Sequence, residues 1–76
     1  MLRAYIINPQ NNKGAWFSFP LYFGKLRKIG HSGSYEDSVE VVVFENVPFE
    51  CHFSLRLGYY NLYELERLNA EVEGHL

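Results

Sequence analysis

With 76 residues, 17% of them aromatic, and a single cysteine, the chain is long enough for one small domain and excludes an internal disulfide. No charged-then-apolar start resembles a signal peptide, and no apolar run approaches the ~20 residues that cross a bilayer, so we expect a soluble, cytoplasmic protein. The net charge of −2 combines two unlike halves, because residues 1–34 carry +5 without any carboxylate and residues 35–76 carry −7. Such an asymmetry concerns partners rather than fold.

The first two predicted elements are strands joined by a loop rich in turn residues. Residues 2–7 alternate with β-formers on both faces, and "NPQNNKG" leads into "AWFSF", residues 15–19, which we expect to pair with the first strand. Because so short a chain needs large side chains to fill its interior, Trp16 is predicted to be a core residue.

A short helix is predicted after the second strand. Pro20 suits the first turn of a helix, where its missing N–H costs nothing. Tyr22, Leu26 and Ile29 fall at i, i+4 and i+7 and would form one apolar stripe. Gly30 is a natural end to this helix.

Two further strands are predicted beyond a surface loop at residues 31–37. The β-branched run "SVEVVVFE", residues 38–45, predicts the central strand. Residues 49–57 alternate cleanly, which is typical of a half-buried strand. One face would hold Phe49, Cys51, Phe53, Leu55 and Leu57, and the other Glu50, His52, Ser54 and Arg56.

The last predicted element is a helix over residues 61–73. Asn61 is suited to cap it, and Glu64, three residues on, can reach back to complete a capping box. Gly74 ends the helix. Its buried stripe would consist of Leu62, Leu65, Leu68 (or Asn69) and Val72. The elements together predict a single α+β domain over residues 1–76, with a mostly antiparallel sheet of three to four strands and two short helices.

No group of residues predicts catalysis, a cofactor or a metal site. The histidines, His31, His52 and His75, lack the spacing of metal ligands. Cys51 and His52 point to opposite faces of a strand, so Cys51 is interpreted as a small core residue. Glu36 and Asp37 lie in a solvated loop without an apolar pocket that would raise a carboxyl pKa. We therefore expect a protein that is not an enzyme.

The carboxylates are the residues with a candidate binding role. They are distributed along ordered elements rather than gathered in a tail, and ordered carboxylates can imitate DNA phosphates because a DNA-binding cleft responds to the position of charge. An ordinary solvated surface is the alternative. The candidate surface consists of Glu36, Asp37, Glu40, Glu45, Glu64, Glu66, Glu71 and Glu73.

Four segments, "GAWFSFPLYFGKLRKIG", "YED", "FENVPF" and "YYNLYELERLN", resemble the N-terminal domain of the ArdA antirestriction family over residues 2–73. The resemblance implies an acidic mimic of B-form DNA, carried by phages or mobile elements, that blocks the DNA site of type I restriction–modification enzymes in the host bacterial cell. Family members usually have three such domains and an acidic first helix, whereas we expect one domain here, with a basic first helix.

The resemblance also implies roles for individual residues. Acidic surface positions of the family fall on Glu36, Asp37, Glu40, Glu45, Glu64 and Glu66. The core-facing aromatic segment of the family falls on Trp16, Phe17 and Phe19, which would then pack between the sheet and the first helix.

Other readings of the surface stay open. A small interaction module, such as an anti-CRISPR inhibitor of a CRISPR effector, would use tyrosine anchors, for which Tyr22, Tyr59, Tyr60 and Tyr63 are available. Direct nucleic-acid binding through Arg3, Lys13, Lys25, Arg27 and Lys28 is not expected, because five cations in an acidic protein make a weak footprint. The opposite charges of the two halves also permit head-to-tail self-association into a homo-oligomer.

Overall fold

The first two strands form the predicted hairpin. In the computed structural model, which describes residues 1–47 and 55–74, β1 (Arg3–Asn8) pairs antiparallel with β2 (Lys13–Ser18). The turn closes through Asn12, whose backbone N–H donates to the Asn8 carbonyl at 2.8 Å and whose φ of 61° suits an asparagine. The pairing of these two segments, predicted from the alternation of residues 2–7 and from the turn-rich loop that follows, is confirmed.

The remaining strands complete an antiparallel sheet of four. β3 (Val39–Glu45) lies on the other side of β1, and β4 (Gly58–Tyr60) pairs with β3, so the order is β2-β1-β3-β4. A bulge in β3 shifts the register between Tyr5 and Ile6 of β1. β3 is an inner strand as predicted, and the α+β class with one antiparallel sheet and two helices is confirmed.

The predicted strand over residues 49–57 is only partly covered by the structure. Its first part, with Phe49, Glu50, Cys51, His52, Phe53 and Ser54, lies outside the described residues, as does His75. Residues 55–57 are not in a strand, and the paired strand begins only at Gly58. The alternation predicted Leu57 inside, but its side chain is 61% exposed, because it lies outside the ladder that would orient it.

The first helix differs from its prediction in type and in starting residue. It is a 3-10 helix over Phe23–Ile29, and Pro20 lies before it, after a cis peptide bond. In a helix with three residues per turn, Phe23, Leu26 and Ile29 align on one side. Tyr22, predicted in the stripe, therefore precedes the helix in an extended conformation with 74% of its surface exposed. Gly30 ends the helix as predicted.

The last helix agrees with its prediction. Helix α1 spans Leu62–Glu73, and both halves of the capping box are present at Asn61 and Glu64. The Asn61 side chain accepts the Glu64 N–H at 2.9 Å, and the Glu64 carboxylate accepts the Asn61 N–H at 3.1 Å. The buried stripe is Leu62, Leu65, Leu68 and Val72.

Both helices cover one face of the sheet, where the core lies. Leu2, Ala4 and Ile6 of the first strand region point into it, beside Leu26 of the 3-10 helix and Leu65 of α1. The core further includes Phe17, Phe19, Leu21, Ile29, Val39, Val41, Tyr60, Leu62, Leu68 and Val72.

The prediction that Trp16 is a core residue is wrong. Phe17 and Phe19 are buried between sheet and helices, but side chains alternate along a strand, so Trp16 points to the opposite face and is 39% exposed. There its ring meets that of Tyr5 edge-on at 5.5 Å, and the Arg3 guanidinium lies 4.5 Å from its centre. Two of the three aromatics, rather than all three, pack against the first helix.

Candidate partner-binding surface

Tyr35 fixes the acidic loop of residues 34–37 against α1. Its backbone carbonyl accepts the N–H of Leu62 at 3.2 Å, and its hydroxyl donates to the Glu66 carboxylate at 2.7 Å. Both contacts join positions far apart in the chain. The loop that carries Glu36 and Asp37 is thereby attached to the first two turns of α1. Sequence reasoning overlooked Tyr35, although its place directly before Glu36 and Asp37 in the "YED" segment was visible.

The hydrogen bond to Glu66 also affects the chemistry of the tyrosine. Donation to this carboxylate, together with its negative charge, raises the pKa of Tyr35 above the usual value of 10.0. The hydroxyl therefore stays protonated at neutral pH and remains a donor. The link between loop and helix is accordingly present over the physiological pH range.

Two of the predicted surface carboxylates are engaged by arginines. Glu45 accepts from Arg3 at 2.7 Å and Glu64 from Arg56 at 2.5 Å. Acceptance of the Asn61 backbone N–H is the main cause of a lowered pKa at Glu64, with Arg56 adding to it. Because each arginine offsets one negative charge, Glu45 and Glu64 are weak candidates for imitating a phosphate.

Two others are set apart by position. Glu40 lies on β3 opposite Tyr59 of β4, on the sheet face opposite that of the buried Val39 and Val41. Glu71 is half-buried and lines a groove of about 260 Å³ that also contains Glu64, Arg56 and Arg67. Cations therefore stand close to Glu71, as they do to Glu64.

The carboxylates that remain form what we call the acidic face, made of Glu36, Asp37, Glu66 and Glu73. Glu36, Glu66 and Glu73 are exposed, and Asp37, half-buried, accepts a hydrogen bond from the Ser32 hydroxyl. Glu66 and Glu73 are seven residues apart, so they share one side of α1 at a separation of about 10.5 Å. Half of the eight predicted carboxylates thus lie either on the loop that Tyr35 attaches to α1 or on the side of α1 that carries Glu66.

An aromatic cluster adjoins the acidic face. The rings of Tyr35 and Tyr63 meet at 4.9 Å, and Phe23 packs against Tyr35 at 5.8 Å. Tyr63 is 59% exposed, which suits the predicted anchor. Tyr59 is also exposed but lies on β4. Tyr60 is buried in the core, with its hydroxyl on the backbone of Arg56, and it is not available as an anchor.

The cations of the first half lie elsewhere. Lys25 and Lys28 of the 3-10 helix line a groove of about 490 Å³ together with Trp16, Phe17 and Ser18 of β2. Lys25 and Arg27 line a second groove beside Tyr22. Arg3 is occupied by Glu45 and by the Trp16 ring. The first half thus carries three cations on the 3-10 helix, whereas Arg3 is paired with Glu45.

Comparisons with protein-family models, with curated proteins and with solved structures give no match. Within residues 1–47 and 55–74, no helix is long and apolar enough to span a membrane.

Proposed function

We propose that the protein inhibits a DNA-binding defence enzyme of a bacterial host by presenting the acidic face in place of DNA phosphates, as the ArdA resemblance implies. The observation that carries this proposal is the double contact of Tyr35 with α1, through Leu62 and Glu66. It gives carboxylates from two separate segments fixed relative positions, and a phosphate-binding cleft responds to fixed positions of charge.

The dimensions limit how much DNA is imitated. The long dimension of 33 Å corresponds to about one helical turn of B-DNA. The separation of Glu66 and Glu73 along α1 corresponds to about three base-pair rises along the duplex axis. The acidic face therefore represents part of one strand over less than a turn, and the target site on the enzyme would be correspondingly short. Such a target operates in the host cytoplasm.

The test is the plating efficiency of unmodified phage on cells with a type I restriction system, with and without the protein. We expect the protein to relieve restriction. The double variant Glu66→Gln/Glu73→Gln should lose most of this relief, because each change removes a charge and keeps the side-chain shape. Binding to the purified enzyme should weaken steeply as salt rises.

The matched control is Glu40→Gln/Glu45→Gln, which removes the same charge outside the acidic face. Its relief should stay close to that of the unaltered protein. Equal losses of restriction relief for the two double variants would show that inhibition depends on the net charge of the protein and not on the acidic face. An expressed and folded protein that gives no relief would contradict the type I target.

The tyrosine cluster supports a second candidate, an interaction module such as an anti-CRISPR inhibitor that binds by shape. Tyr63 is exposed and its ring is held by Tyr35, so it would enter a pocket at little entropic cost. Under this reading Tyr63→Ala should weaken inhibition of a CRISPR effector by about tenfold or more. Tyr59→Ala is the control, and binding should depend little on salt.

A further inference from the structure

The outer edge of β2 has unused backbone hydrogen-bonding groups. The Phe19 N–H donates to the Leu2 carbonyl at 2.8 Å. This bond shows which residues of β2 direct their backbone groups toward β1. Residues of β2 alternate between facing β1 and facing away, so the N–H and C=O of Gly14, Trp16 and Ser18 point away from β1. Within residues 1–47 and 55–74, no backbone group bonds to them. Such an edge can accept another strand.

Charge and shape beside this edge restrict which strand it can accept. A groove of about 490 Å³ runs beside this edge and is lined by Lys25 and Lys28 of the 3-10 helix and by Trp16, Phe17 and Ser18 of β2. Neither lysine forms an ion pair with a carboxylate of residues 1–47 and 55–74. An incoming segment with carboxylates would therefore be attracted to this side of β2.

We propose that the β2 edge and this groove bind an extended acidic peptide segment of a partner protein as a fifth strand. The peptide backbone would bond to Trp16 and Ser18, and its carboxylates would pair with Lys25 and Lys28. Backbone bonds supply affinity in this mode of recognition, and side chains at alternate positions supply specificity.

A second copy of β2 is a poor occupant of the same edge. Antiparallel pairing of two β2 edges would bring Lys13, Lys25 and Lys28 of each copy toward those of the other, and like charges at a sheet edge oppose pairing. The proposed site lies within residues 13–28 and shares no residue with the acidic face. The test of this site is therefore independent of the test of the proposed inhibition.

The binding test uses a fluorescein-labelled peptide of alternating valine and glutamate, followed by anisotropy at low salt. The protein should bind it, and a peptide of alternating valine and lysine should not bind. Lys25→Gln/Lys28→Gln should weaken binding about fivefold, from the loss of two exposed ion pairs. Arg27→Gln/Arg67→Gln removes the same charge outside the groove and should change binding less than twofold.

Ser18→Pro removes one outward N–H without touching a bond to β1, and it should weaken binding about tenfold. Amide exchange on the unaltered protein serves if this variant fails to fold. The peptide should slow exchange at Trp16 and Ser18, and leave Ala15 and Phe17, which already face β1, nearly unchanged.

Three results would overturn the proposal. One is peptide binding that leaves exchange at Trp16 and Ser18 unaltered, and another is no peptide binding at all. The third is displacement of the peptide by a single-stranded oligonucleotide that itself slows none of these amides but binds through Lys25 and Lys28, because the groove would then be a phosphate site rather than a strand site.

Discussion

At the scale of single residues, three asparagines join elements that are distant in the chain. Asn69 exchanges two hydrogen bonds with the backbone of Leu21, at 2.7 and 2.8 Å, and so ties α1 to the segment before the 3-10 helix. Asn8 and Asn11 of the hairpin both donate to the Ile29 carbonyl, at 3.0 and 3.1 Å. These amides satisfy backbone groups at points where no ladder or helix does so.

Gly30 is the residue whose substitution should be most informative about this network. It has φ of 77°, and a Cβ added there would lie 2.6 Å from the Asn11 amide nitrogen that bonds to Ile29. Gly30→Ala should lower the free energy of unfolding by about 1–2 kcal/mol for the left-handed backbone, with a further loss from displacement of Asn11. Urea unfolding measures both.

Gly33→Ala is the matched control. Gly33 also has positive φ, 88°, but a Cβ there meets nothing within 4 Å. The difference between the two variants therefore isolates the contact with Asn11. Equal losses of stability would mean that Asn11 moves aside freely and that its bond to Ile29 contributes little.

At the scale of elements, α1 owes its start to a capping box that also binds an arginine. Glu64 accepts from the Asn61 backbone and from Arg56, so one carboxylate ends the loop, begins the helix and holds a neighbouring segment. In the 3-10 helix, by contrast, the local sequence does not determine the type of helix. Its backbone hydrogen bonds and side-chain alignment follow a period of three residues, although the spacing of the same residues is also compatible with the α-helical period.

The lowered pKa of Glu64 predicts how the stability of the domain depends on pH. Because its folded-state pKa lies below the usual 4.5, the ionised carboxylate stabilises the fold fully above that value, and this contribution is lost as pH falls through the folded-state pKa. The Glu64→Gln variant should therefore have a lower free energy of unfolding than the unaltered protein at neutral pH. This difference in free energy should shrink as the pH falls into the acid range.

Paired urea unfolding curves at several pH values test this expectation. Glu73→Gln, which removes a charge from the other end of α1 and leaves the capping box intact, serves as the control. A Glu64→Gln difference that stayed constant across the acid range would contradict the role of ionisation, and would leave only the shape of the cap.

At the scale of the whole molecule, charges of opposite sign are carried by different elements as well as by different halves of the sequence. The acidic face lies on α1 and the loop before β3, whereas Lys25, Arg27 and Lys28 lie on the 3-10 helix. The radius of gyration of 11.5 Å is near the value of about 11 Å expected for a compact chain of this length. A compact body with opposite charges on different surfaces can associate head to tail.

We predict weak self-association that disappears with salt. The average molar mass should rise with protein concentration at low ionic strength and return to the monomer value near physiological salt, because exposed charges are then screened beyond about 8 Å. Lys25→Glu/Lys28→Glu should abolish the rise. Light scattering that gives the monomer mass at every protein concentration would contradict the predicted self-association.

The candidate site was only partly predictable from the sequence. The seven-residue spacing of Glu66 and Glu73 placed both on one side of α1, and exposure agrees with it. No spacing rule indicated that Arg3 would take Glu45 or that Arg56 would take Glu64, since each pair joins separate elements. The linking residue, Tyr35, was missed because a tyrosine in a loop has no periodicity to reveal its partner.

By itself the sequence determined what depends on neighbours along the chain: the β1–β2 hairpin, the buried stripe of α1, its Asn61 cap and its end at Gly74. Only the tertiary structure decided which face of β2 would be buried. A shift of the strand by one residue would bury Trp16 and expose Phe17, and the sequence pattern does not distinguish the two arrangements. It also decided the 3-10 helix, in which Phe23, Leu26 and Ile29 align on one side, with Leu26 and Ile29 buried in the core and Phe23 packed against it.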